Sequence, residues 1–378
     1  MFTDDEKREW KRKWDELVEE VGGREYYRRC DEERRYPYEL YEKIVERGWI
    51  GVLVPRELGG LGLPPVMYCL TTEAVAKYGY DVGTAYSMST FTFMNIVHHG
   101  SEEQRRKYIP RFLRGEVRFS FSLTEPEAGS DAASITTFAE DRGDYFEIKG
   151  HKIFASGAGA KNNIIVLAAR TNPDAPKHKG ISLFLLPNDT EGLELRLLPT
   201  VARRATGTYE ILLNNVRLPK ENLIGERDKG WDYILEHLDL ERVSIASALV
   251  GCAQTAVLDA CEYARRRVQF GRPVGKFQAI SHMLANMQTE VDAARLLAYR
   301  GAYILEEKGR APKECAMAKL FASEVFQRVT TSGMQIMGGY SLLPENNMER
   351  YWREAKALTI GGGTSEIMRL IISREMGL

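Results

Sequence analysis

From Leu240 to Ala260 the residues Leu240, Val243, Ala246, Val250, Ala253, Val257 and Ala260 recur at spacings of three and four. That pattern lays them along one stripe of a long helix, which is stable only if other helices cover the stripe. Further helical runs follow at Ala279 to Lys308, Ala311 to Met337 and Ser365 to Glu375. The C-terminal part therefore reads as a helical bundle. Between about Val117 and Val216 the texture changes to short runs rich in β-branched and aromatic residues, such as Phe119 to Leu123, Tyr145 to Ile148, Ile164 to Leu167, Ile181 to Leu185 and Tyr209 to Leu212. Turn residues such as Asn172-Pro173-Asp174 separate them, as in an antiparallel β domain. Upstream, Asp5 to roughly Arg114 is helical again, with Glu39 to Trp49 and Val66 to Tyr78 set apart by the breaker-rich segment Pro55 to Gly62. The expectation is an α+β multidomain chain: an N-terminal α-helical domain (1–116), a middle antiparallel β domain (117–228) and a C-terminal four-helix-bundle domain (229–378).

The 378 residues suffice for a large core and for more than one domain. Fifty-two Lys and Arg against 53 Asp and Glu leave a formal charge of −1, so no global field draws in nucleic acid or an anionic membrane. The cysteines Cys30, Cys69, Cys252, Cys261 and Cys315 are scattered, odd in number and without a C-x-x-C pair. Free thiols in a reducing compartment, hence a cytoplasmic location, are expected. The first residues carry no apolar run, and the apolar stretches elsewhere look too short to span a membrane. His98 and His99 are adjacent and so diverge on a helix, and no H-E-x-x-H occurs, so no metal is expected.

Five segments carry chemistry. Thr124-Glu125-Pro126-Glu127-Ala128-Gly129-Ser130-Asp131 follows a strand and is a turn, with Pro126 fixing φ and Gly129 permitting conformations closed to other residues. In Lys152-Ile153-Phe154-Ala155-Ser156-Gly157 an aromatic lies in a strand, where core packing is its ordinary use. Arg265-Arg266-Arg267 ends a helix, where arginines compensate the dipole but can also grip a pyrophosphate in a bidentate manner. Met334-Gln335-Ile336-Met337-Gly338-Gly339 closes a helix with the glycines expected past a C-cap. Finally, Gly361-Gly362-Gly363-Thr364-Ser365-Glu366 turns into the last helix, with Thr364 or Ser365 as its cap and backbone N–H groups open to an anion. No lysine of a P-loop and no G-x-G-x-x-G after a strand accompanies it.

In this order the five segments, with Leu238-Asp239-Leu240-Glu241-Arg242 at the head of the long helix, resemble the flavin-dependent acyl-CoA dehydrogenases over the whole chain. The resemblance implies one FAD per subunit of a homotetramer. Phe121, Leu123, Thr124, Gly129 and Ser130 would meet the flavin, with Ser130 also near substrate. Phe154 would shield a flavin face and Ser156 would stand near N5, though most relatives have tryptophan and threonine there. Arg267, Phe270, Gln278, Gln335, Ile336, Gly338 and Gly339 would reach the FAD of a neighbouring subunit, and Thr364 and Glu366 would also contact FAD. Asp239, Arg242, Gly362 and Gly363 would bind the acyl-CoA.

In most of that family a glutamate two residues before the threonine of the last turn removes the α-proton. Here that position is Gly362. A minority, of the isovaleryl-CoA and long-chain type, carry the base upstream, where this chain has Glu241. Glu241 shares a helix face with Ile245, Ala248 and Cys252, so apolar neighbours are expected to desolvate it and raise its basicity. The bland alternative is a surface glutamate in a first helical turn. The resemblance thus implies α,β-dehydrogenation of an acyl-CoA to a trans-2-enoyl-CoA, with the Gly362 N–H helping to polarise the thioester and electrons passing to an electron-transfer flavoprotein. An oxidase or monooxygenase on the same fold, or a non-catalytic acyl-CoA-binding relative, are the alternatives. The acyl group is not legible.

Overall fold

The computed structural model describes residues 2–378. Six helices open the chain: α1 (Asp4–Glu20), α2 (Gly23–Glu32), α3 (Tyr38–Glu46), α4 (Pro65–Val75), α5 (Tyr80–His99) and α6 (Glu102–Leu113). Their starts follow local chemistry. Thr3 with Glu6 and Ser101 with Gln104 form reciprocal capping boxes, and Pro65 stands at the first position of α4.

Eight strands follow: β1 (Arg118–Ser122), β2 (Phe138–Asp141), β3 (Tyr145–Ser156), β4 (Asn163–Arg170), β5 (Ile181–Pro187), β6 (Leu193–Leu197), β7 (Thr208–Pro219) and β8 (Leu223–Ile224). They form one sheet in the order β6-β7-β3-β2-β4-β5-β8, with β1 on β4. The sheet is antiparallel at β2–β3, β3–β7, β4–β5, β5–β8 and β6–β7, as expected. β1, however, joins β4 in parallel over Arg118–Ser122, and β2 meets β4 in parallel at Phe138 and Arg170, because the chain between these strands crosses over instead of turning back. Strands β4 and β5 are buried along nearly their whole length, which explains why they read as unbroken apolar runs.

The remainder is helical: α7 (Gly230–Arg266), a small hairpin of β9 (Val268–Gln269) and β10 (Arg272–Pro273), then α8 (Gln278–Lys308), α9 (Pro312–Met337), α10 (Met348–Leu358) and α11 (Ser365–Glu375). By contacts the chain divides into two compact units, one of Met1–Asp31, Pro64–Thr84 and Asp239–Leu378, the other of Glu32–Leu63 and Ala85–Leu238. In the first, Ala246, Val250, Ala253, Val257 and Ala260 of α7 join Val291, Ala294, Ala298, Ala318, Ala322, Val325 and Val329 in one core. The sequence reading of apolar stretches as too short for a membrane needs correction here. By length and composition α7 would suffice, and the 18-residue window that qualifies is 83% buried within the protein.

Helix α10 escaped the sequence reading because its apolar stripe is narrow, Met348, Tyr351, Ala355 and Leu358, and its buried face also holds Arg350 and Glu354. The Glu354 carboxylate accepts the Tyr80 N–H at 2.8 Å. Burial raises its pKa from 4.5 to about 7, with Arg350 opposing and Asp81 and Asp31 adding to the rise. Between these values the folded chain keeps a proton that the unfolded chain releases, so stability falls as pH rises through that window. Glu354→Gln retains an acceptor for Tyr80 and cannot ionise. Its stability relative to the parent is therefore expected to improve by about 2–3 kcal/mol between pH 4.5 and pH 8. Denaturant midpoints at the two pH values check this, and an unchanged difference would contradict it.

Candidate active site

The turn before α11 is where the three glycines matter. Gly362 and Gly363 have φ of +67° and +91°, a region closed to most side chains. Thr364, not Ser365, caps α11, its Oγ1 accepting the Ile367 N–H at 3.2 Å. Gly361 N–H bonds Ala357 O at 2.8 Å and Ser365 N–H bonds Thr359 O at 3.0 Å, which pins both ends of the turn and leaves the Gly362 N–H outside this set.

Into the space beside Gly362 comes Glu241. A Cβ at position 362 would lie 3.7 Å from Glu241 Oε1, 3.8 Å from Lys319 Cε and 2.8 Å from Ile245 Cδ1. The carboxylate from α7 thus stands within one side-chain length of the point where a residue-362 side chain would begin. Glu241 is half-buried, and Ile245, Ala248 and Cys252 on its helix face are buried, as the spacing implied. The expectation of a purely apolar setting is corrected by Lys319 on α9. This residue has no exposed surface, and its Nζ donates to Gly363 O at 2.6 Å. Sequence reasoning passed over it, although a lone lysine in the apolar run Cys315-Ala316-Met317-Ala318-Lys319-Leu320-Phe321 was a signal.

Asp239, expected against substrate, is fully buried and spent within the protein. It accepts from Arg310 Nε at 3.0 Å, from the Ala311 N–H at 3.1 Å and from Arg242 Nη1 at 3.4 Å. Its place is to hold Arg242 and the start of α9. Arg242, 7% exposed, has its ionisation disfavoured chiefly by burial, with Asp239 and then Glu241 supporting the charge.

Two clefts in this unit gather other expected residues. One, of about 700 Å³, is lined by Thr364, Ser365 and Glu366 together with Lys356 and Arg328. The Ser365 hydroxyl there is buried without a partner, a donor left over because Thr364 took the capping role. Lys356 and Arg328 were missed, being isolated charges on helices without motif context. The second cleft, of about 430 Å³, brings Arg267 to Ile336, Gly338, Gly339 and Tyr340. The Arg267 guanidinium lies 5.6 Å from the Tyr340 ring centre. Gly338 has φ of +60° at the α9 C-cap, so the capping reading of the glycine holds as well. Gln335 and Gln278 are exposed and outside this cleft. Phe270 sits at the tip of the β9–β10 hairpin, 94% exposed, with φ of +50° and Gly271 at +76°. Positive φ at both central residues is a type I′ turn, for which Asn-Gly is the ordinary choice. Its ring packs edge-on to Phe277, the residue before Gln278.

In the other unit, the segment after β1 is a tight turn closed by paired Glu125 and Ala128 backbone bonds. Gly129 does not use the positive φ expected of it, and the space beside it is open. Gly129 and Ser130 are exposed, while Phe121, Leu123 and Thr124 are half-buried. The turn is fixed from below by Lys152, fully buried on β3, whose Nζ donates to Leu123 O and to Glu125 Oε1, both at 2.9 Å. Glu125 also accepts the Thr136 and Thr137 N–H groups. Its pKa falls to about 2, the neighbouring ammonium and these N–H groups outweighing the cost of burial. Two positions later on β3 a bulge against β7 puts Phe154 at φ of +59° with 60% of its surface exposed. An aromatic in a strained conformation and facing outward is poorly explained by core packing. Ser156 ends the strand, half-buried.

These features fit a bound dinucleotide flavin: an orphaned buried hydroxyl at a helix start, a cleft with Arg267 beside a glycine turn, and two aromatics displayed at cost. Family models describe the same chain. The acyl-CoA dehydrogenase N-terminal domain matches residues 4–116, the middle domain 120–216 and the C-terminal domain 228–377. An acyl-CoA dehydrogenase of Bacillus subtilis is 36% identical, covering 90% of each chain. The caffeyl-CoA reductase-Etf complex subunit CarC of Acetobacterium woodii is 35% identical over 91% of this chain and 90% of its own. The structure of butyryl-CoA dehydrogenase from Megasphaera elsdenii superposes with a TM-score of 0.92 at 30% identity, covering 100% of this chain and 99% of that one. The chain belongs to the acyl-CoA dehydrogenases, a family of FAD-dependent oxidoreductases.

Proposed function

We propose that the protein dehydrogenates an acyl-CoA thioester between its α and β carbons with Glu241 as the base. The observation that carries this reading is the Glu241 carboxylate oxygen 3.7 Å from the point where a Gly362 side chain would begin. A base entering from α7 and a base entering from the turn would deliver a carboxylate to the same place.

Residues of this chain have three tasks. The Gly362 N–H, unspent within the turn, is a preorganised donor for the thioester oxygen, which makes the α-proton acidic. Glu241 accepts that proton at its carboxylate, and its half-buried position limits competition from water. The Thr364 cap and the Lys319 bond keep the turn from drifting, so the donor needs no rearrangement as charge develops. FAD, when bound, supplies the acceptor for the β-hydride, so that the product is a trans-2-enoyl-CoA. Thr124, Ser130, Phe154 and Ser156 would hold it, with Arg267, Phe270, Gln278 and Gln335 to Gly339 reaching the FAD of a neighbouring subunit in a homotetramer.

An electron-transfer flavoprotein as acceptor is supported by the similarity to an Etf-complex subunit. Five cysteines outside any disulfide suit a reducing, cytoplasmic setting. Anaerobic titration of the flavoprotein with straight, branched and ring-bearing acyl-CoAs tests the reading: flavin absorbance bleaches with at least one of them. Rapid oxygen consumption with substrate would point instead to an oxidase.

Arg267→Ala is expected to lose FAD during gel filtration and to elute as a smaller species, because a cleft shared with the Gly338-Gly339 turn loses its bidentate cation. Flavin absorbance per subunit and light scattering measure both effects. Full occupancy in that variant would make the arginine run ordinary surface charge.

A further inference from the structure

We propose that Lys319 is a positioning residue for the proton-transfer site, clamping the glycine turn through the Gly363 carbonyl while its ammonium sets the protonation of Glu241. This rests on the reading of Glu241 as the base. Lys319 Cε and Glu241 Oε1 both lie within 4 Å of one point, the Cβ position of residue 362, so turn, lysine and carboxylate share a single small volume. The ammonium has no exposed surface and is committed to Gly363 O at 2.6 Å. A buried lysine is costly unless paired. A carbonyl satisfies one of its three donors but not its charge, and Glu241 is the nearby anion that contributes most to holding it.

Burial lowers Lys319 to about 8, against which Glu241 acts most strongly, with Arg242 lowering it further and Glu366 raising it. Asp239 is bound by Arg242, Arg310 and the Ala311 N–H, and Cys315, one turn before Lys319 on α9, is held as the thiol by burial. Coupling between two such groups is reciprocal, so whatever Glu241 does for Lys319, Lys319 does for Glu241. The lysine thereby keeps Glu241 ionised, and able to accept a proton, to a lower pH than burial alone would permit.

The test uses the full-length holoprotein and the variants Lys319→Met, Lys319→Gln and Lys319→Arg. In the first two, the acid limb of the pH profile for anaerobic flavin reduction is expected to move up by about one unit, whereas Lys319→Arg keeps it near the parent's even if the rate falls. A uniform loss at all pH values with an unmoved limb would mean that the lysine only braces the fold, and would overturn the proposal. Carbon-13 NMR of glutamate carboxylates, with Glu241 assigned from Glu241→Gln, gives an answer that does not depend on turnover. If no acyl-CoA reduces the parent's flavin, the catalytic reading fails while this arm still decides the coupling: the Glu241 titration moves up in Lys319→Met, or it stays and the proposal falls. Should the variants not fold, the parent alone is informative. Its Glu241 resonance is expected to shift a second time near pH 8 as Lys319 loses its proton. A Glu241 resonance that does not move near pH 8 would refute the coupling.

Discussion

Glu241→Gln is expected to abolish reduction of the flavin by acyl-CoA while leaving FAD and product-analogue binding largely intact. The amide keeps the shape of the side chain beside Gly362 and can still receive a hydrogen bond, but it cannot accept a proton at neutral pH. Removal of a general base usually costs roughly 10²–10⁴-fold, and the loss here should exceed that, since the neighbouring ionisable side chains offer no substitute. Lys319 is occupied by the Gly363 carbonyl and Asp239 is buried in its own bonds. Rapid-mixing measurements of a single anaerobic turnover separate this step from product release. A rate within about tenfold of the parent's would mean that another residue is the base.

How much of this was legible without coordinates differs from residue to residue. The α7 stripe was, because periodicity reports which face is covered, and the two ends of the site were, because Glu241 and Gly362 sit in recognisable segments. What periodicity cannot report is distance between segments. Residues 121 apart in sequence (362 less 241) meet beside one empty Cβ position, and only the fold shows that. Lys319 was visible as a charge in an apolar run, yet a sequence does not say whether such a charge snorkels to solvent or, as here, ends on a carbonyl. Phe154 and Phe270 were chosen from resemblance, whereas their physical peculiarity, a bulky side chain at positive φ and largely exposed, is a backbone property that composition does not encode. Asp239 shows the converse. The resemblance implied a ligand contact for it, but residues two apart on a helix face different ways, and its carboxylate is bonded to Arg310, Arg242 and the Ala311 N–H at the start of α9.

Exchanging the base is expected to change which acyl groups are accepted. Gly362 has no side chain, and Ile245 and Glu241 lie against its Cβ position instead; with the base entering from α7, branched, ring-bearing or longer acyl-CoAs should be preferred to butyryl-CoA. In Glu241→Gly the reaction should stop, and adding Gly362→Glu should restore part of it with the range narrowed toward unbranched groups. Restoration can only be partial, for two reasons visible at the site. A glutamate at 362 must adopt φ near +67°, which strains a non-glycine residue by about 1–3 kcal/mol. Its Cβ would also press on Ile245 Cδ1 at 2.8 Å, so the isoleucine must move. Adding Ile245→Val, which shortens that side chain by the offending methyl, should therefore recover activity further in the double variant while doing little for the parent. Gly362→Glu alone should be poor, since two carboxylates would then compete for the space that Lys319 serves. The quantity to compare is kcat/KM across a substrate panel, where pocket shape discriminates by about 1–3 kcal/mol per methylene. If butyryl-CoA outperforms every branched, ring-bearing and longer substrate with the parent enzyme, the entry of the base from α7 does not set substrate shape, and the exchange of base should then leave the preference unchanged.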